Sequence, residues 1–203
     1  TWLIQSSVAL TNEILDSGEK PAVLSAIMKQ QTTDRGRDVL NDAMDIHAGS
    51  SICLGENNFL EKFYRNTPVG ITVEGSNTLT RNLIIFGQGL NKSHPHIFNI
   101  LDSILNDDVN TFKTNFNNMI SHVACLHLKS LVPNLSNCVY SVLDKQTINF
   151  AHLSNIVALK GGAIKGEQFL SANMADIFSN LYLAYSVKWF EENYKVSNIL
   201  TEY

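Results

Sequence analysis

The chain lacks most of what would set it apart from ordinary globular proteins. Cysteine is scarce: three residues in 203, at Cys53, Cys125 and Cys138. An odd count at wide gaps makes neither a disulfide framework nor a metal-ligand spacing, so buried or free thiols in a reducing compartment are expected. Charge is sparse as well, at 17% of residues with a net −4. No basic excess is present to neutralise phosphates, so nucleic acid is not an expected partner. No apolar run reaches the ~18 residues that a membrane-crossing helix needs. Strand-like alternation is nearly absent, and no internal repeat or low-complexity tract stands out. The 44% hydrophobic content argues against disorder and provides a core for one domain or two small ones.

What is present is helical periodicity punctuated by proline and glycine. Thr1 leads directly into Trp2-Leu3-Ile4 with no cap ahead, as though the chain began inside a helix and were a piece of a longer protein. That helix reads to Asp16, ending at Ser17-Gly18. Pro21 suits the first turn of a long helix to about His47, with Gly49 just past its end. Its middle, Lys29 to Asp38, is polar on every side and reads as a solvated face, with Asp34–Arg37 and Arg35–Asp38 as i,i+3 pairs. A surface facing a cofactor or a second subunit is the functional alternative. Phe59 to Asn66 reads as a short helix that Pro68 breaks, and another runs from about Ile71 or Val73 to Leu90. Asn91 to Pro95 is the best internal boundary. Beyond it, apolar faces predict helices around Ile97–Leu105 and Val109–Val123, from Ala151 to the Gly161-Gly162 interruption, and around Leu170–Tyr185. Pro133 to about Lys145 is irregular, and Cys138 to Leu143 could pass for a strand.

The most informative stretch is Thr67 to Arg81. It sets Glu74 among Ile71, Val73 and Leu79, followed by Gly75, Ser76, Asn77 and Thr78. Apolar neighbours would penalise the charged carboxylate, raise its pKa and make it a better proton acceptor. Gly75, without a Cβ, would let a ligand approach the backbone beside it, and the hydroxyls could hold a polar cofactor. Taken alone, a Glu-Gly pair reads first as a helix start, with the carboxylate complementing the dipole.

Three elements in order extend the pattern. Glu74-Gly75-Ser76 is followed by Arg81, Glu61-Lys62-Phe63-Tyr64-Arg65 precedes it, and Asp45-Ile46-His47-Ala48-Gly49-Ser50-Ser51-Ile52 stands further upstream. Together they resemble the C-terminal catalytic region of the acyl-CoA dehydrogenases. Asp42–His47, Ile52–Gly55, Asn57–Leu60 and Ile84–Gly89 are similar to the long bacterial fatty-acyl-CoA dehydrogenases, which carry an extra C-terminal helical region. The resemblance implies an all-α fold. Residues 1–92 would be the C-terminal part of the catalytic helical domain, and residues 93–203 an appended helical domain.

The resemblance also implies a chemistry. A fatty acyl-CoA substrate would be oxidised to trans-2-enoyl-CoA, a base taking the α proton while FAD takes the β hydrogen as hydride. Glu74 would be the base, and its backbone N–H would help to hold the thioester carbonyl beside Gly75. Ser76 and Thr78 would lie near FAD. Asp45, Ala48 and Gly49 would meet the FAD of a neighbouring subunit, which implies a homo-oligomer. Here Ala48-Gly49-Ser50-Ser51 replaces the family's Gly-Gly-x-Gly, keeping small size but not backbone freedom. Electrons would pass to an electron-transfer flavoprotein or similar acceptor. The cytoplasm is the implied location, with the inner face of the cell membrane left open.

Other candidates read more plainly. Arg65 and Arg81 suit structural ion pairs. His94-x-His96, His122 and His127 have no carboxylate at metal spacing and read as ordinary histidines. Gly87-Gln88-Gly89 reads as a helix terminus, and Lys160-Gly161-Gly162 with Lys165-Gly166 as a solvated turn. Tyr182, Tyr185, Trp189, Phe190 and Tyr194 read as core or a helix-docking face, with a lipid anchor as the alternative. A non-catalytic helical module for subunit packing or membrane docking is the competing reading of the whole chain.

Overall fold

The computed structural model describes residues 1–131 and 142–194, and among these every regular element is helical. Two compact units result: Thr1–Arg81 with Ser186–Tyr203, and Asn82–Tyr185. Among the described residues no helix is long and apolar enough to cross a membrane.

The first unit holds α1 (Trp2–Asp16), α2 (Ala22–His47), α3 (Gly49–Ile52), α4 (Glu61–Thr72) and α5 (Asn77–Leu79). It also receives the end of α10 (Gln168–Tyr194). Helix α2 is its backbone, packing on α1, α3, α4 and α5. Pro21 sits at its N-cap and the helix ends at His47, as the punctuation predicts. Trp2 meets Phe190 edge-on at 5.0 Å, and Phe190 stacks on Tyr194 at 4.4 Å. Phe190 is buried here, and Tyr182 is buried within the second unit, the core role expected for part of that aromatic cluster.

The second unit contains α6 (Gly89–Ser93), α7 (Ile97–Leu105), α8 (Val109–Leu131), α9 (Val142–Ala158), a 3-10 turn at Gly161–Lys165 and most of α10. Helix α8 packs against α7 and α9. Phe150 links Phe86 and Phe178 by ring contacts at 6.2 and 5.5 Å. Ile85, Met174 and Ala175 are almost wholly buried.

Four expectations give way. Pro68 does not break its helix: α4 runs through it to Thr72. The proline forfeits one backbone bond, but α4 lies close on α2, where a Cβ on Gly70 would stand 3.3 Å from Thr33 Cγ2. The following helix begins at Asn77 rather than near Ile71, and is a π-helix from Thr80 to Gln88 before it becomes α6. Gly87-Gln88-Gly89 therefore lies inside a continuous helical run and not at a terminus. Gly87 serves packing, since a Cβ there would stand 3.2 Å from Ser171 Oγ.

The polar stretch of α2 is the fourth. Gln30 and Gln31 are buried at 5% and 9% exposure, so its first half is not a solvated face. Asp34 accepts from Gln30 Nε2 at 2.5 Å, and Arg35 Nε donates to Gln31 Oε1 at 3.0 Å. These bonds take the place of the expected i,i+3 ion pairs. From Gly36 to Val39 every residue is exposed.

Cys138, the irregular stretch from Pro133 and the possible strand from Cys138 lie outside the described residues as far as position 141. Val142 and Leu143 already belong to α9.

Candidate active site

Glu74 stands in the short turn between α4 and α5, and it is exposed. Its φ is +54°, and that of Gly75 is +89°. Two successive residues in the left-handed region reverse the chain sharply. Glycine accepts that conformation freely, but a glutamate there stores about 1 kcal/mol or more of strain. Val73 and Leu79 are themselves about half exposed, at 48% and 46%. The chain's own apolar neighbours therefore do not enclose the carboxylate as the sequence pattern implies.

Ser76 ends the turn as the N-cap of α5, its Oγ accepting from Leu79 N at 3.2 Å. Capping thus falls to Ser76 rather than to Glu74, which lies three positions before the first residue of α5 and is not in its first turn. Thr78 is exposed within α5.

The turn is held from α2. Lys29 Nζ donates to Gly75 O and to Asn77 Oδ1, both at 2.6 Å. Asn77 Nδ2 in turn donates to Thr33 Oγ1 at 2.8 Å and to Asp34 Oδ1 at 2.6 Å. Asn77 is buried, so each of these bonds matters more than it would in water. The polar residues of α2 thus build a scaffold under the Glu74 turn.

A second group gathers at the end of α2. Asp45 and Ala48 line a cavity of about 560 Å³ together with Asn41, Met44, Ser51 and Tyr64. Ala48 has φ +46° and ψ −126°, a conformation native to glycine. The sharp turn survives the loss of the glycine because its neighbours hold it. Ser51 Oγ donates to Ala48 O at 2.7 Å or Met44 O at 2.9 Å. Asn58 Nδ2 donates to Ser51 O at 2.6 Å. Gly49 opens α3 and is exposed, but it does not line the cavity. Neither do Glu74, Ser76 or Thr78, so the expected site residues fall into two separate groups.

Two family models account for nearly all of the chain. The acyl-CoA dehydrogenase C-terminal domain matches residues 4–87, and the bacterial-type acyl-CoA dehydrogenase C-terminal domain matches residues 91–198. The chain belongs to the acyl-CoA dehydrogenase family. No solved structure matches it. Acyl-CoA dehydrogenases are FAD-using oxidoreductases that bind acyl-CoA and generally form oligomers.

In this acyl-CoA dehydrogenase chain, Lys29 and Asn77 are the residues that sequence reasoning passed over as parts of the site. A lysine in the middle of a helix reads as solvent-facing, and its partner lies 46 residues away. Its one signal is its place among Gln30, Gln31 and Thr33, a polar run too uniform to be explained by an amphipathic surface helix.

Arg65 pairs with Glu61 at 3.1 Å, an exposed i,i+4 bridge of little energetic weight. Lys160 pairs with Glu167 at 2.7 Å beside the 3-10 turn. His94, His96 and His122 cluster with ring centroids 5.6–6.1 Å apart. Asn155 Nδ2 donates to Ala151 O, so its Oδ1 faces His94 Nε2 at 3.0 Å. That nitrogen carries the proton, which leaves Nδ1 to accept from His96 N and Ile97 N, each at 3.2 Å. Both nitrogens of His94 are thus occupied in its neutral form. Among the described residues no group of three histidine, cysteine or acidic side chains is arranged to hold a metal.

Proposed function

We propose that this chain is the C-terminal part of an FAD-dependent acyl-CoA dehydrogenase that converts fatty acyl-CoA to trans-2-enoyl-CoA, with Glu74 as the base. The carrying observation is the turn itself. A glutamate of positive φ and its following glycine are fixed from α2 by Lys29, inside a segment that belongs to the family's C-terminal domain. Strain of this kind persists where surrounding bonds over-determine it, and it concentrates at functional positions.

The α proton of a thioester is weakly acidic, so its removal needs a well-placed, desolvated base and fixed donors for the developing enolate charge. Glu74 is exposed in the left-handed turn between α4 and α5. Its backbone N–H, beside Gly75, would donate to the thioester carbonyl. In this reading desolvation comes with the acyl chain and the remainder of the enzyme. Bound FAD would supply the acceptor for the β hydrogen, and Ser76 and Thr78 would lie near it.

The cavity beside Ala48 suits a second contact with a polar cofactor. Ala48 and Ser51 are small, and Asn41, Asp45 and Tyr64 offer hydrogen-bonding groups. With Gly49, this end of α2 would face the FAD of a neighbouring subunit. Ile46, Ile52, Leu54 and Phe59, left exposed on α2, on α3 and in the following loop, support a second subunit there. Electrons would leave to an electron-transfer flavoprotein or similar acceptor. Residues 1–92 would complete the catalytic domain, and residues 93–203 would form the appended domain.

The test is Glu74→Gln in the intact enzyme, which keeps the shape and removes the base. Turnover should fall by roughly 10³-fold or more while flavin content holds. Comparable turnover would end the assignment. It would favour instead a helical packing or docking module, a reading that draws on the exposure of Glu74.

A further inference from the structure

A pocket of about 290 Å³ lies within the second unit, sharing no residue with the Glu74 turn or the Asp45–Ala48 cavity. Its walls are chiefly Phe86, Leu90, Phe150 and Phe178. No lysine, arginine, aspartate or glutamate lines it.

Six of its fourteen lining residues are polar; His94, Thr147 and Asn155 are already hydrogen-bonded, Ser93 is exposed to solvent, and His122 is only half-buried. Thr147 Oγ1 lies 3.0 Å from Leu143 O and 3.2 Å from the Tyr185 hydroxyl. His94 and Asn155 bond to each other and to the backbone. Ser154 differs. It is only 8% exposed, it lines the pocket, and its Oγ has no hydrogen-bond partner. A buried hydroxyl without a partner is rare in folded proteins and calls for one from elsewhere.

We infer that this pocket binds a neutral, mostly apolar small molecule of about ten heavy atoms whose single hydrogen-bonding group pairs with Ser154. The size follows from the volume, at about 30 Å³ for each heavy atom. Neutrality follows from the lining. A carboxylate or phosphate here would lose its water and meet no lysine or arginine, and an ion buried without a partner is disfavoured. The two histidines at the pocket do not supply the missing cation. Burial, aided at His94 by His122 and His96 and at His122 by His96 and Lys129, holds both below the ordinary imidazole pKa and keeps them neutral. Aromatic walls with a small number of polar groups are the usual make-up of a small-molecule site, and here Ser154 is the buried lining group without a partner.

Titration calorimetry of the full chain at pH 8 tests this with three probes. These are 1-octanol, octanoate, and toluene, which has no hydrogen-bonding group. Octanol and toluene should bind saturably at one site, with octanoate at least tenfold weaker than octanol. Ser154→Ala should weaken octanol about fivefold, the loss of one neutral hydrogen bond, and leave toluene unchanged. Ala151→Phe, which fills the pocket, should abolish both, its fold being checked by far-ultraviolet circular dichroism. Should that variant not fold, the contrast between octanol and toluene in Ser154→Ala still decides. Three results would each overturn the inference: no saturable octanol or toluene binding, octanoate binding as tightly as octanol, or unchanged octanol affinity in Ser154→Ala.

Discussion

Lys29 Nζ reaches across from α2 to the carbonyl of Gly75 at 2.6 Å, fixing the residue that follows Glu74 from 46 positions away. The same ammonium meets Asn77 Oδ1, so one cation ties the second residue of the strained turn and the first residue of α5 to α2. Lys29→Met keeps the length of the stem and removes all three donors. Two acceptors then lose a charge-assisted partner, which should cost about 2 kcal/mol in urea unfolding. In the intact enzyme the same change should lower kcat more than it alters KM, because it frees the turn rather than removing a substrate contact. Unchanged stability together with unchanged kcat would show that the turn holds without its clamp.

Backbone conformation yields a pair of opposite substitutions. At Gly75 a Cβ would meet only Thr80 Oγ1, at an ordinary 3.6 Å, so space is no obstacle. The obstacle is φ at +89°, and Gly75→Ala should destabilise by about 1–2 kcal/mol. At Ala48 the positions are reversed. A non-glycine residue already occupies φ +46° and ψ −126°, and Ala48→Gly should be neutral or stabilise by up to ~1 kcal/mol despite glycine's greater freedom in the unfolded chain. Thermal unfolding of the two variants checks both signs. A clear loss of stability in Ala48→Gly would mean that the turn is not strained.

A third test concerns Gly87 and Ser171. Ser171 is wholly buried, its Oγ has no partner, and a Cβ on Gly87 would approach that oxygen to 3.2 Å. Ser171→Ala removes an unsatisfied buried hydroxyl and should stabilise by about 1 kcal/mol. Gly87→Ala alone should destabilise. Combined with Ser171→Ala it should become neutral or favourable, since the obstructing oxygen is gone and alanine is the better helix former. Such non-additivity in a double-mutant cycle is the signature of direct contact. Additive effects would mean that the two sites do not touch.

The success of the sequence reading divides along physical lines. Helices α1, α2, α7, α8 and α10 follow from apolar spacing and from local punctuation such as Pro21 and Gly18, signals that reside in adjacent residues. Pro68 misleads because tertiary packing of α4 on α2 outweighs a local penalty. The Glu74 turn is legible as Glu-Gly followed by hydroxyls, but its support is not. The bonds from Lys29 to Gly75 and Asn77 span 46 and 48 positions, and no periodicity encodes a contact of that range. Gln30 and Gln31 mislead for the same reason, since polar residues read as exposed until their partners are known. The pocket around Ser154 gathers residues from position 85 to 178, so nothing in the local pattern announces it.

The histidines of the second unit give the last prediction, a dependence of stability on pH. Burial is the main cause that lowers the pKa of His94. His122 and His96 nearby add to it, and the Asn155 bond opposes it. His122 is lowered first by burial, then by His96 and Lys129. Both groups therefore bind protons more weakly in the folded chain than at the unfolded value of 6.5. Where the unfolded state holds more protons, stability rises with pH. Their contribution is complete above pH 6.5 and is lost as pH falls through the lower folded values. Protonation of His94 also removes the Nδ1 acceptor from His96 N and Ile97 N, so the start of α7 should loosen first. Asp108 belongs to a separate window. Its bonds to Thr111 and Asn110 lower its pKa, so its contribution fades only below the ordinary carboxylate range. Urea midpoints should hold from pH 8 down to about pH 6.5 and then fall towards pH 5, and His122→Gln should flatten that fall. A midpoint that rises on acidification would show that these imidazoles gain protons on folding, contrary to their burial.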